Sequence, residues 1–282
     1  MTSREALTRG ASRLDASAQL RDSALADATL LLLHVLGSSR AALIANYDRV
    51  LTAEQQAAYE GLISRRLAYE PIQYITGEQE FYGLGLGVTR AVLIPRPETE
   101  QLVEAVLAEV DAAEEVRVLD VGTGSGAIAI ALACHLQRAR ITAVDVSRAA
   151  LDVAAANAER HGVAGRIRFM ESDLLAGLAP GERFDVIAAN PPYVPAQDCD
   201  ELHPQVADFE PAAALFAGED GLDVVRRLIP QARAALVRNG LLAMEIGHGQ
   251  RDAVEALLDG WNELRFVDDL GGVPRVVVAR RR

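Results

Sequence analysis

The chain has no lysine: all 28 of its basic residues are arginine. That excludes chemistry built on an amine side chain, such as a Schiff base or the phosphate-binding lysine of a P-loop. It has only two cysteines, Cys134 and Cys199, which form no CxxC pair. No disulfide framework and no zinc site is expected, and a reducing, cytoplasmic setting fits this. The five histidines lie without ligand spacing, so no metal is expected. No signal peptide is read at the start. The most apolar stretch, 24–36, is too short to span a bilayer and carries Asp27 and His34, so it is expected to be a core helix. Positive charge is scarce too, leaving a net charge of −12 against 40 acidic residues. A protein that depends on unspecific attraction to nucleic-acid phosphates is thereby disfavoured.

What is present suits a globular protein with a sizeable core: 282 residues, half of them hydrophobic, enough for one large domain or two modest ones. Residues 3–68 read as helices. Asp22-Ser23 can cap the apolar helix that stops at Gly37. Thr52 with Gln55 forms a capping box ahead of Tyr59, Leu62, Ile63 and Leu67 at helical spacing, and Pro71 ends the run. Arg65-Arg66 reads as a solvated face. Residues 72–95 change character: glycines 77, 83, 85 and 87 alternate with aromatic and branched residues, a hairpin-like connector. In Pro95-Arg96-Pro97-Glu98-Thr99-Glu100, Thr99 could cap the helix that follows, and equally the rigid turn could line a cleft. These bounds divide the chain into a helical domain at 1–71, a β-hairpin connector at 72–95 and a larger domain at 96–282.

From Val116 the order becomes strand, glycine loop, helix, strand. Gly122, Thr123, Gly124, Ser125 and Gly126 form the loop, and Asp145 closes the next strand about 20 residues on, where a carboxylate can accept from ribose hydroxyls. Gly122-x-Gly124-x-x-Ala127 also satisfies the dinucleotide fingerprint, so an NAD-type or non-enzymatic binding protein stays open on this element alone. Strands are expected at 116–121, 141–144, 166–170, 184–189, 241–246, 264–267 and 275–279, with helices between most of them. The fold class is α/β: a seven-stranded, mainly parallel Rossmann-like sheet, preceded by a small helical bundle and the hairpin connector. Residues 268–274 are too few for a crossover, so the last strand is expected antiparallel. That ending suits a methyltransferase better than a plain dinucleotide fold.

The strand at 184–189 runs into Asn190-Pro191-Pro192-Tyr193. Proline supplies no N–H, so the segment offers rigid carbonyls beside one Asn amide and one ring, able to hold a planar group with N–H donors. An ordinary strand-ending turn is the other reading of these four residues taken alone. The loop at 194–209 is polar and irregular, and a long loop directly after such a tetrad is placed to cover or recognise a substrate.

With both motifs placed, the chain resembles the class I S-adenosylmethionine-dependent methyltransferases. More narrowly, it resembles the HemK/PrmC family of protein-(glutamine-N5) methyltransferases. The resemblance runs through Glu70–Gly77, Phe81-Tyr82-Gly83, Leu93–Glu100, Asp120–Gly126, Asn190–Tyr193, Glu210-Pro211 with Ala214-Leu215, Gly221-Leu222 and Asp269-Leu270-Gly271. It implies an enzyme that moves a methyl group from S-adenosyl-L-methionine to a side-chain amide nitrogen. The acceptor implied is the glutamine of the GGQ motif in class-1 peptide chain release factors. It implies Gly122–Gly126, Asp145, Asp173, Leu174 and Asn190 at the cofactor, and Asn190, Pro191, Pro192 and Tyr193 at the glutamine, with Asn190, Pro191 and Tyr193 catalytic. The N-terminal domain is implied to grip the protein substrate. A monomer without membrane or direct nucleic-acid partners is expected. Two departures stand out: Leu174 where some relatives carry an aromatic residue, and Pro274 where relatives often carry an acid. A ribosomal-protein glutamine methyltransferase, and an adenine-N6 or cytosine-N4 DNA methyltransferase, share the tetrad and are the competing readings.

Overall fold

A computed structural model describes residues 1–269 and 271–282; Leu270, the middle of the Asp269-Leu270-Gly271 triplet, lies outside the described residues. The chain forms two compact units, one of residues 1–77 with 203–209, the other of 78–202 with 210–282.

The first unit is helical: α1 (Ser3–Asp15), α2 (Ala24–Leu36), α3 (Arg40–Ala45), α4 (Ala53–Leu67) and α5 (Ile72–Thr76). Its second stretch carries one further helical turn, Pro204–Ala207. Capping boxes start α1 (Thr2 with Glu5) and α4 (Thr52 with Gln55), satisfying N–H groups that no earlier turn can take. Gly37 ends α2 in the left-handed conformation, as its position suggests. Ser23 does precede α2 but does not cap it; its hydroxyl donates to Asp27 Oδ2 at 2.9 Å. Leu14, Leu31, Leu32, Tyr59 and Ile63 are fully buried at the centre. The reading of Arg65-Arg66 as a solvated face holds for Arg65, which is exposed, and fails for Arg66. Arg66 is 5 % exposed, its Nε donating to Asp27 Oδ2 at 2.7 Å, while Arg65 makes a two-pronged bond to Glu70. The cause is Asp27, whose carboxylate in the apolar helix α2 needs a buried partner.

The second unit opens with an antiparallel hairpin, β1 (Glu78–Phe81) and β2 (Leu84–Gly87), and continues through α6 (Pro97–Leu107). Then come β3 (Arg117–Val121), α7 (Ala127–His135), β4 (Arg140–Asp145), α8 (Arg148–Arg160), β5 (Ile167–Glu171) and β6 (Phe184–Ala189). The chain closes with α9 (Asp223–Ala235), β7 (Leu236–Glu245), α10 (Arg251–Leu257), β8 (Asn262–Asp268) and β9 (Pro274–Arg280). Pro230 sits inside α9 without ending it.

The large sheet has seven strands in the order β5-β4-β3-β6-β7-β9-β8. β9 inserts antiparallel between β7 and β8, as the short link before it requires. Residues alternate between the two cores with the pleat: Val118, Val186 and Ala188 pack on one face, Leu119, Ile187 and Ala189 on the other. Helices cover both faces, which is why these strands read as continuous apolar runs. The parallel strands all end at one edge of the sheet, and the loops leaving that edge carry the site.

Candidate active site

Five neighbouring strands each deliver chemistry at this edge. β3 leads into Gly122–Gly126, β4 ends on Asp145, β5 leads to Asp173-Leu174, β6 to Asn190, and β7 ends on Glu245. A cavity of about 280 Å³ lies over them. Its wall includes Gly122, Thr123, Gly124, Ser125, Asp145, Asp173, Leu174, Asn190 and Pro192, so most of the residues expected from sequence meet here. Gly126, Pro191 and Tyr193 do not line it. Gly126 instead lets α7 pack closely: a Cβ there would stand 2.9 Å from Ile130 Cδ1 and 3.1 Å from Ala154 Cβ.

Gly122 and Gly124 hold positive φ of 75° and 54° with no side chain between backbone and cavity. The loop is tied down from three sides. Gly124 N–H donates to Asp145 Oδ2 at 2.9 Å, and Asp145 Oδ1 accepts from Ser147 N–H at 2.9 Å. Below it, Asp120 Oδ2 accepts from the Thr123 hydroxyl at 2.6 Å and from Ala129 N–H at 3.2 Å. Asn157 closes the third side, donating to the Ser125 and Gly87 carbonyls at 2.9 Å each. Nothing in its helical context had singled Asn157 out. Asp120 is wholly buried, and burial pushes its carboxyl up to about 7, while its Oδ1 has no hydrogen-bond partner among the described residues. Leu174 is held at φ 50°, its carbonyl accepting from the Ser172 hydroxyl at 2.7 Å, a strained posture of the kind found where a loop is shaped around a ligand. Asp173 is paired with Arg227.

The opposite wall is Ala91–Leu93, Pro95, Arg96 and Thr99. It is pinned by Glu210, whose buried carboxylate accepts from Ile94 N–H at 3.2 Å and from the Arg96 guanidinium. That bond joins two of the segments that carry the resemblance, Leu93–Glu100 and Glu210-Pro211. Thr99 is not a cap. Its hydroxyl donates to Glu245 Oε2 at 2.6 Å, and Asn190 Nδ2 donates to Thr99 Oγ1 at 3.0 Å. Glu245 is 2 % exposed, and burial raises its carboxyl to about 7 against the bond donated by Thr99 and the nearby charge of Arg275. Burial, then the Glu245 charge, push the Tyr193 phenol up, so it remains a donor. Behind the tetrad Gln250 donates to the Tyr193 and Gly221 carbonyls at 3.1 and 3.2 Å. No backbone N–H among the described residues donates to the carbonyls of Asn190 or Pro191. Glu245 escaped the sequence reading because a carboxylate ending a strand has no motif of its own, and Gln250 because a glutamine just before a helix has none either.

A seven-stranded parallel sheet with this antiparallel ending and a glycine-loop cleft at its strand ends defines the class I methyltransferases. Solved structures of that class share the fold. The hMettl16 catalytic domain aligns over 87% of this chain and 93% of that one at TM-score 0.59 and 16% identity. The T. thermophilus 16S rRNA methyltransferase RsmC, in complex with AdoMet and guanosine, aligns over 73% and 50% at TM-score 0.53 and 20% identity. Family models match as well, the PrmC N-terminal domain at residues 5–77 and the methyltransferase small domain at 98–207. The release factor glutamine methyltransferase of Koribacter versatilis is 50% identical over 256 residues, 90% of each chain. That of Moorella thermoacetica is 42% identical over 285 residues, 100% of this chain and 99% of its own. The chain belongs to the release factor glutamine methyltransferase family.

S-adenosyl-L-methionine is the cofactor, and the residues present fit it. Asp145 retains lone pairs for a ribose diol, Val146 and Leu174 offer apolar surface for a purine, and the bare backbone at 122 and 124 admits close approach. The unpartnered oxygen of Asp120 beneath the loop is the kind of group that a cationic ligand above would offset.

Proposed function

We propose that this enzyme methylates the side-chain amide nitrogen of a release factor glutamine, with Asn190–Tyr193 holding the amide. The observation that carries this reading is the state of Asn190. Its Nδ2 is committed to Thr99, and nothing among the described residues donates to its Oδ1. Beside it the Pro191 carbonyl accepts from no backbone N–H among the described residues.

Bound S-adenosyl-L-methionine supplies a methyl group on a sulfonium, an electrophile that needs no further activation. The difficulty lies with the acceptor, because a carboxamide nitrogen shares its lone pair with its carbonyl. Two acceptors set at an angle, Asn190 Oδ1 and the Pro191 carbonyl, take both N–H hydrogens and favour a pyramidal nitrogen whose lone pair is free to attack. Tyr193 packs on the amide plane. Asn190 and Pro192, both on the cavity wall, join the tetrad to the cofactor space. Orientation at near-attack distance can account for several kcal/mol of the barrier. The proton leaves afterwards from a nitrogen made acidic by methylation, so no strong base is needed at the tetrad. Gly122–Ser125, Asp145, Asp173 and Leu174 hold the cofactor. The helical unit and the 194–209 loop grip the protein acceptor, in keeping with the chain's negative charge, which disfavours DNA.

Labelled S-adenosylmethionine offered with a release factor, a ribosomal protein and duplex DNA tests the acceptor. Label in the release factor is the expected result; label confined to the ribosomal protein or to DNA would refute it.

A further inference from the structure

Asn190 can serve as an acceptor only if its carboxamide is turned the right way, and hydrogen counting on its neighbours settles which way that is. A threonine hydroxyl has one hydrogen. Thr99 stands 2.6 Å from Glu245 Oε2, and Glu245 in its ionised form can only accept, so the hydrogen then lies on that bond. Toward Asn190, at 3.0 Å, Thr99 Oγ1 is then an acceptor, and only the Nδ2 branch of the carboxamide can meet it. The planar group leaves Oδ1 facing away from Thr99. The sheet supports this alignment: β6 and β7 pair in parallel with Ala189 opposite Met244, which brings Asn190 level with Glu245 at the strand ends.

Glu245 is an expensive residue for this place. It is 2 % exposed and has no salt bridge among the described residues. Arg275 of β9, whose charge is felt at Glu245, is bonded to Asp269, while Glu98 of α6 opposes the charge; the Tyr193 phenol lies close by, with Arg96 near it. A glutamine would satisfy Thr99 without burying a charge. What it would not supply is direction. Its amide can donate to Thr99, which frees the threonine hydrogen to point at Asn190 and draws Oδ1 inward, away from the acceptor.

We infer that Glu245, through Thr99, is a positioning residue that fixes the Asn190 carboxamide with its oxygen toward the substrate amide. The inference rests on the glutamine-binding role proposed for Asn190. It also carries a pH dependence: protonated Glu245 can itself donate to Thr99, and the direction of the relay is lost.

The test is steady-state methylation of a release factor by the full-length wild type and by E245Q, T99V, T99S and E245Q/T99V. Each is also measured for cofactor Kd by calorimetry and for Tm. E245Q and T99V are expected to lower kcat at least about tenfold, with KM and cofactor Kd within about twofold. The double variant is expected to be no worse than either single, because the two act as one unit. T99S, which keeps the hydroxyl, is expected to recover most of kcat. Wild-type kcat should rise with pH to a plateau above about 7, and this limb should vanish in E245Q. Undiminished kcat in E245Q, additive losses in the double variant, a retained pH limb, or losses that follow Tm and cofactor affinity together would each overturn the relay alone. A wild type that methylates no glutamine would overturn the underlying reading of the tetrad, and the relay with it.

Discussion

Asp145 shows how one carboxylate can serve loop and ligand together. It holds Gly124 and Ser147 through their N–H groups and still faces the cavity. Asp145→Ala is expected to weaken cofactor binding by about tenfold to a hundredfold, the loss of one or two charge-assisted bonds, read by calorimetry. Asp120 and Glu245 give the fold a pH signature. Burial lifts them from 3.8 and 4.5 to about 7, so between those limits the folded chain holds protons that the unfolded chain has released. Their stabilisation is complete below about pH 4 and is lost as pH rises through about 7. Urea unfolding is expected to give a higher midpoint at pH 5 than at pH 8, and Asp120→Asn should flatten that difference. The tetrad and the glycine loop were legible at this scale because their residue types are unusual. Thr99 read equally as a cap or as part of a cleft wall; it lines the cavity, and its partners lie 91 and 146 residues away.

At the scale of elements, periodicity and turn chemistry carried most of the information. The capping box at Thr52, the stop at Gly37 and the seven strands were all readable. What patterning could not supply was the reason for a polar residue on an apolar helix. Asp27 draws Arg66 out of solvent, and no window around either residue contains the other. Close packing between helices was equally hidden. Gly10 of α1 lies against Tyr59 of α4, whose hydroxyl donates to the Ala28 carbonyl of α2 at 3.2 Å and cannot swing aside; a Cβ at Gly10 would collide with that hydroxyl. Gly10→Ala is therefore expected to destabilise the helical unit by about 1–3 kcal/mol despite its better helix propensity, measured by thermal or urea unfolding. A neutral or stabilising result would mean that α1 and α4 pack less tightly than described.

For the whole molecule, the chain runs from the tetrad through 194–202, contributes 203–209 to the helical unit, and re-enters the second unit at Glu210, which pins the cavity wall. Sequence alone left 194–209 as one irregular loop, because a segment shared between two units has no signature in its composition. The negative charge, by contrast, was readable at once and argued for a protein acceptor over DNA. Fold, family and cofactor all point to methyl transfer, and the central claim is where the methyl goes. Fragment mass spectrometry of a release factor, after reaction with wild type and with Asn190→Ala, tests it most directly. The account predicts one methyl on a glutamine side-chain nitrogen with the wild type, and a loss of at least about a hundredfold in rate with Asn190→Ala at retained cofactor affinity. A methyl on any other residue, or an undiminished rate in Asn190→Ala, would contradict it.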